Sequence, residues 1–210
     1  MPHDPLPLIS GVPVIPVLTI ERVVDAVSLA RALVEGGLPV LEVTLRTSAA
    51  LAAVEAIARG VPGAIVGVGT VTRVEDIPRA VDAGAKYLVS PGTPARLADA
   101  LAATKVPAIP GCATVSEAMG LAERGFSVLK FFPAEAGGGM KWLQAVAAPL
   151  PDMKFCPTGG IGMNNAAAYL ALPNVVAVGG SWVAPKAALA AGDFAAVTAL
   201  AREAAGLRGR

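Results

Sequence analysis

Lys130 has the most specific chemistry of any residue in this sequence, because it interrupts an otherwise apolar run. Leu129 precedes it, Phe131 and Phe132 follow it, and residues 126–133 together have the composition of a buried β-strand. An ammonium group that is buried without a partner costs free energy, so lysine is seldom fully buried. Lys130 therefore either reaches solvent from a strand end or serves as a neutral amine, which would attack carbonyl groups.

Glu42 is a second charged residue within an apolar run, which covers residues 40–45. A carboxylate directed into a core is costly unless a cation or hydrogen-bond donors meet it, and Lys130 and Arg46 are both possible partners. One interpretation is a structural ion pair between Glu42 and Arg46. The other is that burial tunes the Glu42 carboxylate to transfer protons during catalysis.

The composition favours a single domain with a well-buried core and without a large net charge to attract ligands. Of the 210 residues, 54% are hydrophobic and 16% are charged, and we expect a single domain over residues 1–210. The net charge of +1, from 17 basic and 16 acidic residues, gives no electrostatic sign of binding to nucleic acid or to a membrane surface. The amino terminus lacks the basic and apolar regions of a signal peptide, so we expect a soluble cytoplasmic protein.

Histidine and cysteine chemistry has little support in this sequence. His3 is the single histidine and lies in a proline-rich entry, which argues against a histidine-based triad and against a histidine metal cluster. Cys112 and Cys156 have neither CxxC spacing nor a histidine nearby. The sequence therefore predicts two buried free thiols rather than a metal site or a disulfide.

The elements that must position these residues follow a regular alternation of strands and helices. Alanine-rich segments with helical periodicity separate eight short runs that are rich in β-branched residues. The runs cover residues 14–18, 40–45, 65–71, 87–90, 108–110, 128–132, 154–157 and 175–178. Because parallel strands buried on both faces read as apolar runs, the pattern predicts an α/β fold, a single closed (β/α)8 TIM barrel. An open Rossmann-like sheet is the alternative.

The segment before the first strand is rich in proline, which has no backbone N–H and disrupts helix interiors. Pro2, Pro5, Pro7 and Pro13 lie there. We therefore expect no regular helix before the first strand and an irregular course for residues 1–12.

In a barrel of this type, the catalytic groups project from the carboxyl ends of the strands. The polar residues at these predicted ends are Glu42, Arg46, Thr70, Lys130, Thr158 and Ser181. Glycine pairs at 159–160 and 179–180 end the seventh and eighth strands, where exposed backbone N–H groups can bind an anion without net positive charge. The two pairs predict a phosphorylated ligand. A third glycine run, at 137–139, is interpreted as a turn or lid that leads into a helix.

Six motifs follow one another along the chain: LEVTLRT at 41–47, VGVGT at 66–70, SPG at 90–92, LKFFPAE at 129–135, CPTGGI at 156–161 and GGSW at 179–182. Together, over a match from about Val12 to Ala204, they resemble the motifs of the 2-keto-3-deoxy-6-phosphogluconate (KDPG) aldolases, within the KDPG/KHG class I aldolase family. The resemblance implies cleavage of KDPG to pyruvate and glyceraldehyde 3-phosphate, the aldolase step of the Entner-Doudoroff pathway. It also implies that neither a metal nor a separate cofactor takes part.

The resemblance assigns roles to individual residues. It makes Lys130 the Schiff-base lysine and Glu42 the acid/base that shuttles protons. By the same analogy, the residues that bind pyruvate and its carboxylate are Arg46, Thr70, Pro91, Phe132 and Thr158. The positions similar to the phosphate-contacting residues of the family are Gly159, Gly160, Gly180 and Ser181.

Several alternatives remain open at this point. An aldolase for 4-hydroxy-2-oxoglutarate or for the 6-phosphogalactonate epimer would share the lysine chemistry. A non-catalytic phosphate-binding barrel would use Lys130 and Glu42 only as an internal ion pair. The resemblance further implies a homotrimer, and the high mean hydropathy of +0.62 is consistent with helix faces that are buried between subunits.

Overall fold

The computed structural model of the chain describes residues 4–209, so His3 lies outside the described part. Nine strands alternate with helices along these residues. The strands are β1 (Val14–Leu18), β2 (Val40–Thr44), β3 (Ile65–Gly69), β4 (Leu88–Val89), β5 (Ala108–Ile109), β6 (Gly111–Cys112), β7 (Val128–Phe131), β8 (Lys154–Pro157) and β9 (Val178–Gly180). All of the ladders between them are parallel.

Along the described residues, one helix precedes β1, one lies between each pair of consecutive strands except β5 and β6, and the last two helices follow β9. They are α1 (Leu6–Ile9), α2 (Val23–Glu35), α3 (Ala50–Gly60), α4 (Asp76–Asp82), α5 (Ala95–Ala103), α6 (Val115–Ala122), α7 (Gly139–Ala147), α8 (Ala166–Leu170), α9 (Lys186–Ala191), α10 (Phe194–Ala205) and the 3-10 turn η1 (Gly206–Gly209). Within residues 4–209, no helix has both the length and the apolar character needed to cross a membrane.

The strands pair into two parallel sheets. One has six strands in the order β5-β4-β3-β2-β1-β9, and the other has three in the order β6-β7-β8. The predicted α/β arrangement of parallel strands is therefore confirmed. The division falls at Pro110, which separates β5 from β6 and has no backbone N–H to contribute to a ladder.

The last strand lies later in the chain than the sequence predicted. The expected run at 175–178 contributes one isolated bridge, between Val175 and Phe155, whereas the regular ladder with β1 covers Val178–Gly180. The prediction of its position is wrong because it followed the apolar side chains. Pairing with β1 depends on backbone groups, which Gly179 and Gly180 supply as well as valine does.

The amino-terminal segment also departs from the prediction. Leu6–Ile9 form a single helical turn, so the expectation of no regular helix before β1 is wrong for these four residues. Pro5 is the N-cap and Pro7 lies in the first turn, where the N–H groups have no intrahelical partner and proline is tolerated. The turn buries Ile9 completely.

Alternation along the strands divides their side chains between two cores. Leu41, Val43, Leu129 and Phe131 pack in the larger core together with the helices. Trp142 of α7 stacks on Phe131 with ring centroids 4.3 Å apart, so this tryptophan packs in the larger core. Since successive residues of a strand face opposite sides, the intervening residues belong to the other face of the sheets.

That opposite face carries a smaller core. Val40 of β2, Val128 of β7 and Cys156 of β8 belong to it, and Tyr87 and Ile9 pack with them. Both cysteines are buried free thiols, as predicted. Glu42 and Lys130 lie two residues beyond Val40 and Val128, so both side chains belong to this face and lie nearer to the carboxyl ends of their strands.

Candidate active site

Lys130 and Glu42 meet inside the protein. The Lys130 ammonium Nζ donates a hydrogen bond to Glu42 Oε1 over 3.0 Å, although 88 residues separate them in the chain. The two residues are only 4% and 3% exposed, respectively. The alternative interpretation, in which Lys130 reaches solvent from the strand end, is thereby excluded, and Glu42 pairs with Lys130 rather than with Arg46.

The register of the strands determines which residues lie beside Glu42 and Lys130. Glu42 lies opposite Val17 of β1 and Gly67 of β3, and Lys130 lies opposite Gly111 of β6 and Cys156 of β8. Three of these strands bring only a small side chain, or none, to the level of the charged pair. The lysine stem and the carboxylate can therefore both enter the interior.

Glycines on β3 make room for larger side chains from neighbouring strands. A Cβ at Gly69 would overlap the Glu42 carboxylate, and a Cβ at Gly67 would overlap the ring of Tyr87. Neither glycine has a positive φ. The need for glycine at these two positions therefore comes from the volume of the neighbouring side chain and not from backbone strain.

Phe132 follows β7 directly and gives the lysine an aromatic neighbour. Lys130 Nζ lies 5.6 Å from the centroid of the Phe132 ring, within the range of a cation–π contact. The Phe132–Pro133 peptide bond is cis. Phe132 is half-buried, so one part of its ring covers the lysine while another remains accessible.

The other predicted pyruvate-site residues lie where strands end. Thr70 directly follows β3 and has a φ of 60°, which is uncommon for a threonine. Arg46 follows β2 and is exposed, and in the described part of the chain it forms no ion pair. Pro91 is half-buried beyond β4, and Thr158 is buried directly after β8. The structure thus brings Lys130 and Glu42 into contact and leaves Arg46 accessible to a ligand.

The two predicted phosphate loops lie side by side. Thr158 forms a parallel bridge with Gly179, and a Cβ at Gly179 would overlap the Thr158 hydroxyl. Gly159 and Gly160 have φ values of 103° and 78°, a conformation that favours glycine. Gly160 is exposed, as is Ser181 at the end of the neighbouring loop. Both loops therefore offer backbone to the same region of the surface.

Tyr87 is a neighbour of the charged pair that sequence reasoning missed. Its side chain is fully buried, and its hydroxyl has no hydrogen-bond partner among the described residues. Burial raises the pKa of Tyr87 well above its ordinary value, and the negative charge of Glu42 raises it further. The available signals were Gly67, which leaves space for the ring, and the alternation that places Tyr87 and Val89 on the same face.

Cys156 is a second neighbour of the Lys130–Glu42 pair, and the charge of Lys130 affects the pKa of its thiol. Burial raises the pKa of its thiol to about 12, an effect that the positive charge of Lys130 opposes. The thiol therefore stays protonated at neutral pH. Among residues 4–209, no group of three or more histidine, cysteine, aspartate and glutamate side chains is arranged to hold a metal ion.

A parallel β/α fold with one buried lysine, a carboxylate in contact with it and glycine loops beyond it is typical of enzymes that form an imine with a keto-acid substrate. The comparisons agree with this class. Residues 8–200 match the model of the KDPG and KHG aldolase family. The chain belongs to the KDPG and KHG aldolase family.

Relatives and solved structures match over most of their length. A 2-dehydro-3-deoxy-phosphogluconate aldolase from Dickeya dadantii is 49% identical over 94% of this chain and 92% of its own. A KDPG aldolase from Legionella pneumophila, solved with pyruvate as a covalent carbinolamine intermediate, is 42% identical, with a TM-score of 0.94 over 97% of this chain and 98% of its own. The KDPG aldolase of Zymomonas mobilis with 3-phosphoglycerate is 44% identical, with a TM-score of 0.92 over 99% and 97% of the two chains.

Proposed function

We propose that this protein is a class I aldolase that reversibly cleaves 2-dehydro-3-deoxy-6-phospho-D-gluconate to pyruvate and D-glyceraldehyde 3-phosphate. The observation that carries the proposal is the buried contact between Lys130 and Glu42. It occurs in a chain similar to an enzyme that was captured with pyruvate as a covalent carbinolamine. The aldehyde-lyase activity of the Dickeya dadantii relative supports the same reaction.

Lys130 supplies the nucleophile and Glu42 takes its proton. Transfer of a proton across the 3.0 Å contact leaves a neutral amine, whose lone pair attacks the C2 carbonyl of the substrate and forms a carbinolamine. Glu42 returns that proton to the carbinolamine hydroxyl, which leaves as water, so that a protonated imine between C2 and Nζ and the Glu42 carboxylate remain. The positive imine nitrogen then accepts the electron pair of the C3–C4 bond when that bond breaks.

Glu42 moves the remaining protons. As a carboxylate, it accepts the proton of the C4 hydroxyl, and the C4 carbon leaves as the aldehyde of glyceraldehyde 3-phosphate. The same proton returns to C3 of the enamine that stays on Lys130, and water then hydrolyses the resulting imine to release pyruvate. A single carboxylate next to the lysine is sufficient for both transfers.

The residues at the strand ends bind the rest of the substrate in this proposal. Arg46 is exposed and uses its guanidinium to bind the substrate carboxylate, together with Thr70. Pro91, Phe132 and Thr158 line the pyruvate part of the site. The proximity of Phe132 to Lys130 supports its position in that lining.

The phosphate group is bound by the loops after β8 and β9. Gly159 and Gly160 offer backbone N–H groups, and Ser181 offers its N–H and hydroxyl. Gly180, whose backbone pairs with β1, holds Ser181 in place beside them. The bridge between Thr158 and Gly179 supports a shared site, because it holds the two loops next to each other. The 3-phosphoglycerate in the Zymomonas mobilis structure supports a phosphorylated ligand.

Cleavage of 4-hydroxy-2-oxoglutarate is the second candidate activity. The matched family includes KHG aldolases as well as KDPG aldolases. Both substrates place a keto acid at Lys130 and differ in the group beyond C4, a carboxylate in one and a phosphorylated chain in the other. The ratio of kcat/KM for the two substrates, and for the 6-phosphogalactonate epimer, ranks these activities.

Reduction of the imine tests the proposal. Incubation with pyruvate and borohydride should add one reduced pyruvyl group per chain, and peptide mapping should place it on Lys130. Lys130→Met should abolish both the adduct and the turnover. Lys154→Met is the matched control, because Lys154 begins β8 and its ammonium contacts only the Pro173 carbonyl in the described residues, so it should keep both. A folded wild-type protein without an adduct would support the non-catalytic barrel.

The same proposal includes a single closed (β/α)8 barrel over residues 1–210. The Thr158–Gly179 and Phe155–Val175 bridges support a connection between the two sheets on one side. On the other side, the Lys130 N–H donates a 2.9 Å hydrogen bond to the carbonyl of Pro110, the residue between β5 and β6. In this view, β5 and β6 are two parts of one barrel strand, and eight strands remain.

A further inference from the structure

Glu135 and Tyr169 form a hydrogen bond beside the loop that is proposed to hold phosphate. The Tyr169 hydroxyl donates to Glu135 Oε1, across 34 residues of sequence. The proposed reaction uses neither residue. Glu135 is exposed after β7, and Tyr169 is a buried residue of α8, the helix that follows the glycine loop.

Backbone hydrogen bonds place Glu135 against this loop. The Ala134 N–H donates to the Thr158 carbonyl over 2.8 Å, and the Glu135 N–H donates to the Gly159 carbonyl over 3.1 Å. The chain after β7 therefore continues alongside the chain after β8. This pairing holds the backbone of Glu135 in place, so that only its side-chain direction remains to be determined.

Gly160 lies directly against the stem of Glu135. A Cβ at Gly160 would approach Glu135 Cγ within 2.6 Å and its Cβ within 2.7 Å. On its other flank, the Gly160 carbonyl accepts a 3.2 Å hydrogen bond from Asn165 Nδ2. The position where we place the phosphate is thus next to a carboxylate-bearing side chain.

A carboxylate at this position opposes phosphate binding. Two like charges at short range repel each other more strongly near a protein surface than in water, and a phosphate monoester carries nearly two negative charges. The carboxylate must therefore be directed away from the loop. Tyr169 does this, because its hydroxyl binds Oε1 on the side of α8, next to Gly139.

The Tyr169 hydroxyl is held in a fixed position and remains a hydrogen-bond donor. Its ring is buried within the larger core, so the position of its hydroxyl is fixed by packing. Burial raises the pKa of Tyr169, and the hydrogen bond to Glu135 raises it further, so the phenol stays protonated. The donor is consequently present throughout the pH range in which an aldolase would act.

We propose that Tyr169 is a positioning residue for phosphate selectivity: it holds the Glu135 carboxylate toward α8, and so lets the Gly159–Gly160 loop accept a phosphate dianion. This inference rests on the proposed function. It assigns the pair no part in imine formation, so the effects on phosphorylated and unphosphorylated aldehydes should differ.

The test compares two aldehydes in the synthetic direction with pyruvate. The measured quantity is the kcat/KM for D-glyceraldehyde 3-phosphate divided by that for D-glyceraldehyde. Tyr169→Phe should lower this ratio about tenfold through a higher KM for the phosphorylated aldehyde, since the freed carboxylate then repels phosphate. Glu135→Gln should keep the ratio, because its amide oxygen still accepts from Tyr169 and the charge is gone.

The double variant separates charge from packing. Tyr169→Phe with Glu135→Gln should regain most of the lost ratio, because the freed side chain no longer carries a charge. Thr198→Val is the control: it removes a hydroxyl that donates to the Phe194 carbonyl within α10, and should leave the ratio unchanged.

Two results would overturn the inference: a ratio in Tyr169→Phe within twofold of that of the wild type, or a double variant no better than the single one. Adduct formation with pyruvate and borohydride is measured for every variant and should not change. A wild type that forms no adduct would overturn the proposed function and this inference with it, and the adduct assay identifies that failure.

Discussion

At the scale of single residues, the contact between Lys130 and Glu42 has a cost that follows from its burial. Both groups are nearly inaccessible, so each depends on the other for compensation of its charge. Removal of one partner from a buried ion pair leaves the other uncompensated and is more destabilising than removal of both. The pair therefore links the chemistry of the site to the stability of the fold.

A double-mutant cycle measures this link. Lys130→Met should lower the free energy of unfolding by about 3 kcal/mol at neutral pH, because Glu42 loses its partner. Lys130→Met combined with Glu42→Gln should recover most of that loss, since no buried charge then remains. Urea denaturation of the wild type, both single variants and the double variant gives the four values. Additive losses would contradict the expected coupling.

The raised pKa of the buried Cys156 thiol should make the stability of the fold depend on pH. Its folded-state pKa is about 12, whereas the pKa of a thiol in the unfolded chain is about 8.5. Between these values the folded state keeps the proton and the unfolded state loses it, so stability is full below the unfolded pKa and declines as pH rises toward 12. The decline approaches about 1.4 kcal/mol per pH unit.

Cys156→Ala should therefore flatten the alkaline decline in stability. The check is the slope of the unfolding free energy between about pH 9.5 and 11, which should fall by about 1 kcal/mol per pH unit relative to the wild type. The slope is compared, and not the free energy at one pH, because the smaller side chain also lowers the stability by an amount that does not depend on pH. An unchanged slope would mean that the Cys156 thiol ionises equally in both states.

Residues of the site differed in how far the sequence could predict them. Lys130 and Glu42 were predicted because a charge in an apolar run is visible in the sequence alone. The contact between Glu135 and Tyr169 was missed, because it joins residues 34 positions apart in the chain and depends on tertiary packing, not on any local pattern. Tyr87 was missed for a related reason: the lack of a hydrogen-bond partner for its hydroxyl among the described residues follows from tertiary packing and not from the residues next to it in sequence.

At the scale of elements, β3 shows how one strand makes space for the chemistry of another. Gly69→Ala would place a methyl group against the Glu42 carboxylate and should displace it from Lys130. We expect turnover to fall at least tenfold while the protein stays folded, because active-site geometry is sensitive to shifts of about 1 Å. Circular dichroism and the aldolase assay check both parts of this prediction.

Gly11→Ala is the matched control for that variant. A Cβ at Gly11 would meet no atom within 4 Å, and the residue has no positive φ, so turnover should remain that of the wild type. Normal turnover in Gly69→Ala would show that the Glu42 carboxylate can move without consequence. The role proposed for its position would then be wrong.

The sequence predicted the limits of some strands correctly and those of others incorrectly. β1 and β8 match their predicted limits at both ends, Val14–Leu18 and Lys154–Pro157. β9 does not, because its ladder includes two glycines that carry no side-chain signal. The interruption at Pro110 was also missed, since a proline at the end of a predicted strand does not reveal that pairing resumes beyond it.

At the scale of the whole molecule, some large apolar side chains are exposed on the helices and could contact other subunits. Val24 of α2 is 80% exposed and Met119 of α6 is 51% exposed, in a chain of high mean hydropathy. Such surface residues are compatible with contacts between subunits. The homotrimer implied by the family resemblance remains a proposal for this chain.

Light scattering coupled to size-exclusion chromatography tests the trimer. The expected mass is three times the 21.0 kDa of one chain. Val24→Lys should shift the distribution toward monomers if α2 lies at the interface, because a charge is costly in a buried contact. Val115→Lys, at a side chain that is 38% exposed on α6, is the comparison that tests the other helix. A monomeric wild type would contradict the proposal.

The alternation that places Lys130 on the inner face has a consequence for refolding experiments. A slip of β7 by one residue against β6 or β8 would turn Lys130 toward the helices and bring Leu129 or Phe131 inside. Such a chain could keep its secondary structure and still be unable to capture pyruvate. Covalent labelling with pyruvate and borohydride therefore counts the correctly registered molecules in a refolded sample, a yield that circular dichroism would overestimate.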